Sequence, residues 1–132
     1  MAGCAVAQNH ARDLRRAIPA VYRGFAQLYE AALAPGVLDV KTKELIALAI
    51  AVTRECDGCV TAHADAAARS GATEAEVAEM LGVVILMNGG PGATLGPGVL
   101  AAFREAAERL SAAAAERLSA AAAERQPAAT RG

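Results

Sequence analysis

Apolar residues recur at helical spacing along most of this chain, and convincing strand alternation occurs nowhere. Val21, Phe25, Leu28 and Tyr29 share one helical stripe. Ile18-Pro19 starts the helix that carries them, because a proline in the first turn forgoes an N–H that has no intrahelical acceptor. Pro35-Gly36 stops it. Asp39 is a good N-cap for a second helix. There Leu45, Ile46, Leu48, Ala49, Ile50 and Val52 form a band too broad to leave a wet side, so this helix is expected at the centre of the fold. Its end is expected near Arg54-Glu55-Cys56, and Asp57-Gly58 is a breaker pair. A third helix runs from there to Ser70, with Gly71 just past its end.

Thr73 and Glu76 form a capping box that opens a fourth helix. It carries Val77, Met80, Leu81, Val84, Ile85 and Met87. Residues 81–87 are apolar on all sides, which predicts that a neighbouring chain covers one of them. Residues 88–92 and Gly96-Pro97-Gly98 read as breaks before a last helix over 99–125. That helix repeats LSAAAAER at 110–117 and 118–125. Two units are too few for a solenoid, and a period of eight is not a heptad. A solvated helical extension is the favoured reading; a contact that fixes an oligomer is the alternative. The expected organisation is a loose arm over 1–16, one all-α domain of five to six helices over 17–125, and a frayed tail over 126–132.

Composition narrows the chemistry. The 132 residues include two Phe, two Tyr and no Trp. The core must therefore be Leu, Ile, Val and Ala, which favours closely packed helices. A net charge of −1 gives no basic footprint for nucleic acid. No apolar run reaches the length of a membrane span, and residues 1–16 hold no signal-peptide core, so a cytoplasmic protein is expected. Three cysteines in such a chain point to a redox or metal CxxC and away from a disulfide framework.

Cys56-Asp57-Gly58-Cys59 with His63 is that motif. On a helix, positions 56, 59 and 63 fall on one stripe, so two sulfurs and a base share a face. A thiolate is the nucleophile in thiol–disulfide chemistry, and a base must make it. Cys59 lies one turn before His63 and near a helix N-terminus, both of which favour its anion. Cys59 is the expected attacking thiol and Cys56 the resolving one. A zinc site is the second reading, but it needs four ligands and the chain has no second Cys/His pair. Two buried structural cysteines are the third. Cys4 is a single thiol on the arm. Glu44, twelve residues before Cys56, reads by itself as a solvated carboxylate in the first turns of its helix. Ile50, Leu86 and Met87 are candidates to wall a pocket, although core packing explains them equally well.

The run Leu38-Asp39-Val40-Lys41-Thr42-Lys43-Glu44-Leu45-Ile46-Ala47-Leu48-Ala49, followed by Cys56-x-x-Cys59-x-x-x-His63 and Ser70-Gly71-Ala72-Thr73-x-x-Glu76, resembles the carboxymuconolactone decarboxylase superfamily. Within it the likeness is to the short, single-domain members of the AhpD-like alkylhydroperoxidase branch. It covers roughly residues 18–105 of the chain. The resemblance implies an all-helical fold assembling as hexamers or trimers. It implies a proton relay in which Glu44 is the acid and His63 the imidazole that activates the thiol. Cys59 matches the peroxide-attacking cysteine and Cys56 its disulfide partner. The implied partners are a small hydroperoxide and an external dithiol donor, such as a lipoyl protein; no metal, haem or flavin is implied. Position 58 is glycine where the best-understood peroxidase has a second histidine. Two other readings stay open. One is the decarboxylation that names the superfamily, which has no use for a dithiol. The other is a non-catalytic module whose disulfide senses redox state.

Overall fold

The computed structural model describes the backbone of residues 2–125 and the side chains of residues 10–125. The tail expected over 126–132 and the side chain of Cys4 lie outside the described residues. Among the described residues the chain forms six helices and no strand. It divides into two compact units, Met1–Val37 and Leu38–Gly132.

The first unit holds α1 (Ala2–Ala17) and α2 (Pro19–Leu33). α1 is a helix in a stretch where the sequence pattern predicts no element. Its apolar positions suggest little, but Ala, Arg, Gln and Leu make up much of it, and these are strong helix formers. α2 begins at Pro19, with proline in its first turn. The Arg15 guanidinium lies over the Tyr22 ring, 5.2 Å from its centre. No residue of α2 is buried, and Val21, Phe25 and Leu28 are exposed.

The second unit holds α3 (Val40–Thr53), α4 (Asp57–Arg69), α5 (Glu74–Asn88) and α6 (Gly90–Arg125). Asp39 caps α3 by accepting a 2.7 Å hydrogen bond from the Thr42 N–H. That bond, with a further one from the Thr42 side chain, holds the Asp39 carboxyl below the usual carboxylate range. The capping box of α5 closes as expected, with Thr73 and Glu76 each bonding the other's backbone N–H. Glu76 also accepts 2.7 Å from Lys41 Nζ, which ties α5 to the start of α3. Lys41 first, and the Thr73 N–H second, hold Glu76 below its ordinary range.

α3 and α4 end in the same way. At the end of α4, the Gly71 N–H donates to Ala68 O and the Ala72 N–H to Ala67 O, with Gly71 at φ +83°. At the end of α3, the Glu55 N–H donates to Val52 O and the Cys56 N–H to Ala51 O. Both are Schellman closures, which put one residue in the left-handed region. At α3 that residue is Glu55, at φ +53°, where a side chain costs about 1 kcal/mol relative to glycine.

α6 starts nine residues earlier than the sequence suggests and runs straight through Gly96-Pro97-Gly98. Pro91 lies in the first turn, where it costs nothing. Pro97 brings no N–H to the Ala93 carbonyl, yet the helix continues because packing holds it. Gly92, Gly96, Val99, Phe103 and Ala106 are buried and form one stripe. Gly92 permits the closest approach: a Cβ there would stand 3.1 Å from Val84 O and 3.2 Å from Ile85 Cα. The far end of α6, including the LSAAAAER repeat, is largely exposed.

The core joins Leu48 and Val52 of α3, Ala64 and Ala67 of α4, Val77, Leu81 and Val84 of α5, and Val99 and Phe103 of α6. α3 is central, but it is not buried all round: Ile46 and Ile50 point outward. Val83, Ile85, Leu86 and Met87 of α5 are likewise exposed.

Gly92→Ala should destabilise the fold by about 1–3 kcal/mol, because the α5 backbone cannot yield as a side chain would. Helix propensity alone predicts a gain of about 1 kcal/mol, so the sign of the change in urea denaturation decides between the two. The depressed carboxyls of Asp39 and Glu76 stabilise the fold fully above the unfolded carboxylate range. That contribution should be lost as the pH falls through and below it, and Glu76→Gln should flatten the acid limb of the stability–pH curve.

Candidate functional site

The corner between α3 and α4 gathers the chemistry. Cys56 is the N-cap of α4 and makes no side-chain capping bond. It therefore precedes the helix, and only Cys59 and His63 of the expected stripe lie on α4 itself. Its carbonyl accepts from the Val60 N–H at 2.9 Å, which starts the helical ladder. Cys59 falls in the first turn, at the positive end of the helix dipole. Cys56 and Cys59 are joined as a disulfide, with Cα atoms 5.2 Å apart. Both are half-buried. A Cβ at Gly58 would meet nothing within 4 Å, so the position between the cysteines has open space.

His63 sits one turn beyond Cys59 and is 18 % exposed at its side chain. Its Nδ1 lies 2.7 Å from Glu44 Oε2. Glu44 is 4 % exposed, which overturns its reading as a solvated first-turn carboxylate. It lies one turn further in, on the face of α3 that α4 covers. An ionised carboxylate can only accept, so with Glu44 in that form the Nδ1 nitrogen of His63 is the donor in this bond. Ala51 of α3 and Ala64 and Ala67 of α4 are buried.

A groove of about 530 Å³ runs along this corner. Ala47, Ile50, Ala51 and Arg54 of the α3 side line it, together with Cys56, Cys59 and His63. The four residues singled out in the sequence thus come together: three line the groove and Glu44 stands behind His63. Ile50 walls the groove as anticipated. Met87 lines a neighbouring apolar depression with Ile50, Ala49, Thr53, Val83 and Val84, whereas Leu86 lines neither. Arg54 was missed. It reads as a helix terminus in sequence, and it reaches the groove because it continues the α3 stripe of Ala47, Ile50 and Ala51. Among the described residues, no group of three His, Cys, Asp or Glu side chains could hold a metal ion. No helix among them is long and apolar enough to cross a membrane.

Comparison with known proteins agrees with the geometry. The chain is similar to a carboxymuconolactone decarboxylase family protein of Legionella pneumophila, whose crystal structure superposes with a TM-score of 0.71 at 38 % identity. That match covers 76 % of this chain and 89 % of the other. A second family structure, from Thermotoga maritima, matches with a TM-score of 0.62 at 29 % identity, over 68 % of this chain and 93 % of its own. A role in an antioxidative response has been suggested for that protein. An uncharacterised protein of Cupriavidus necator is 43 % identical over 90 residues, 68 % of this chain and 80 % of its own length. The sequence model of the carboxymuconolactone decarboxylase family matches residues 19–131, and the chain belongs to that family.

Proposed function

We propose that the protein is a thiol-dependent hydroperoxide reductase, with Cys59 as the attacking thiol and Cys56 as the resolving one. The observation that carries this reading is the Glu44–His63 bond of 2.7 Å behind a groove that both cysteines line. Glu44 holds the ring so that Nε2 can take the Cys59 proton. The thiolate then attacks the terminal oxygen of a hydroperoxide. The O–O bond breaks, two electrons leave sulfur, and the relay returns the proton to the departing alkoxide as an alcohol. Cys59 is left as a sulfenic acid. The Cys56 thiol displaces water from it and closes the disulfide. An external dithiol, such as a reduced lipoyl protein, resets the pair by exchange. The suggested antioxidative role of the Thermotoga maritima relative fits this cycle. A decarboxylase would have no use for the dithiol, and a cycle fed by a dithiol donor suits the cytoplasm.

The same reading includes assembly. The exposed apolar face of α3 and α5, with Ile46, Val83, Leu86 and Met87, is the surface on which copies of the chain would meet as a hexamer or trimer. Leu86→Glu should shift the protein toward the monomer in analytical ultracentrifugation. An unchanged sedimentation coefficient would sink that assignment.

The relay is tested by thiol trapping. Reduced protein is mixed with stoichiometric cumene hydroperoxide, alkylated at intervals and mapped by mass spectrometry. The Cys56–Cys59 disulfide should form quickly in the wild type, on the order of a hundredfold more slowly in His63→Ala, and about tenfold more slowly in Glu44→Gln. Cys59→Ser should abolish turnover; in a decarboxylase it would leave the reaction nearly intact. Oxidation no faster than that of a free thiol, and indifferent to these changes, would refute the peroxidase reading.

A further inference from the structure

The groove that holds the dithiol contains one charged lining residue, Arg54. We infer that Arg54 is an anion-binding residue and that the groove selects amphipathic acid hydroperoxides, with a hydrocarbon body and a carboxylate remote from the peroxide. This deepens the peroxidase reading and rests on it for the identity of the reacting group.

Arg54 is exposed and has no ion-pair partner among the described residues. Four other basic residues of the same unit are paired: Lys41 with Glu76, Arg104 with Glu74, and both Arg69 and Arg109 with Asp65. Acidic side chains stand next to Arg54 in the sequence, at Glu55 and Asp57, but they line a different cavity. That cavity, of about 300 Å³, is bounded by Val52, Val60, Leu95 and Val99 among others. The turn at the end of α3 makes this division. With Glu55 at φ +53°, consecutive residues of opposite charge are sent to separate cavities. A carboxylate entering the dithiol groove therefore meets a guanidinium with no acidic neighbour on the groove wall. The guanidinium presents a planar fork of donors that matches a carboxylate.

The remaining wall supplies the other half of the recognition. Ala47, Ile50 and Ala51 offer an apolar strip, and the dithiol and His63 form the reactive part. A volume of about 530 Å³ is in the range of small-molecule sites. An apolar strip, a cation and a peroxide-reducing thiol on one groove describe a medium-chain fatty acid hydroperoxide better than a small neutral peroxide.

The test compares a medium-chain fatty acid hydroperoxide with its methyl ester in the thiol-trapping assay, at limiting peroxide. The wild type should be oxidised faster by the acid, on the order of fivefold. Arg54→Gln should bring the acid-to-ester ratio close to one, and Arg54→Lys, which keeps the charge, should retain part of the preference. An unchanged ratio in Arg54→Gln would overturn the inference. So would an equal slowing of both peroxides, which would mean that Arg54 acts on the thiolate and not on the substrate. A second measurement separates this inference from the peroxidase reading: calorimetric binding of decanoate, against decanamide, to the oxidised protein. Decanoate bound by the wild type and lost in Arg54→Gln would support the anion site even if no peroxide were turned over. Brisk peroxide turnover with no acid preference and no decanoate binding would overturn the anion site and leave the peroxidase standing.

Discussion

Burying the Glu44 carboxylate obliges α3 and α4 to hold one register. A carboxylate with 4 % of its surface exposed is costly unless a partner offsets the lost water, and His63 is that partner at 2.7 Å. A shift of either helix by one residue would swing the two groups apart and strand both. The contact therefore sets the α3–α4 pairing as firmly as the apolar core does. The groove with its cysteines is the outer side of the same junction.

How much of this was legible in the sequence differed by element. α5 was read closely because its capping box is a local device, complete within four residues. α3 and α4 were read well because Asp39 and Gly71 punctuate them. α1 is hard to read because its amphipathic pattern rests on alanines and arginines and holds few large apolar residues. The start of α6 escaped for a different reason. Its glycines and prolines are local breakers, and the helix persists only because Gly92 and Gly96 pack against the rest of the unit. The site shows the same division. Cys56, Cys59 and His63 are near in sequence, so their spacing reveals them. Glu44 is set apart by burial, a tertiary property, whereas from the residues alone it reads as solvated. Arg54 gives no signal, because a basic residue at a helix C-terminus reads as an ordinary solvated end.

That turn deserves comparison with its twin. α3 and α4 close with the same pair of backbone bonds, yet one uses Gly71 and the other Glu55. Stability alone would favour glycine at both. The glutamate side chain lines the cavity on the far side of the corner from the dithiol, so the turn both ends α3 and sorts charge between two cavities. The backbone strain is small beside the core, and it lies where the chain must reverse direction within three residues.

Cys56 occupies the N-cap of α4 without capping it. While the disulfide is closed, a covalent link to the first turn stands in for the missing side-chain bond. Once it opens, the helix begins with neither. Serine at an N-cap is among the better acceptors for the first-turn N–H groups, and alanine among the poorer. The usual isosteric replacement, Cys56→Ser, would thus remove one thiol of the disulfide and at the same time give α4 a cap that the native protein lacks. Cys56→Ala removes the thiol without that gift. The two variants report on different molecules, one with its helix start reinforced and one with it bare, and only their difference isolates the chemistry from the folding of the first turn.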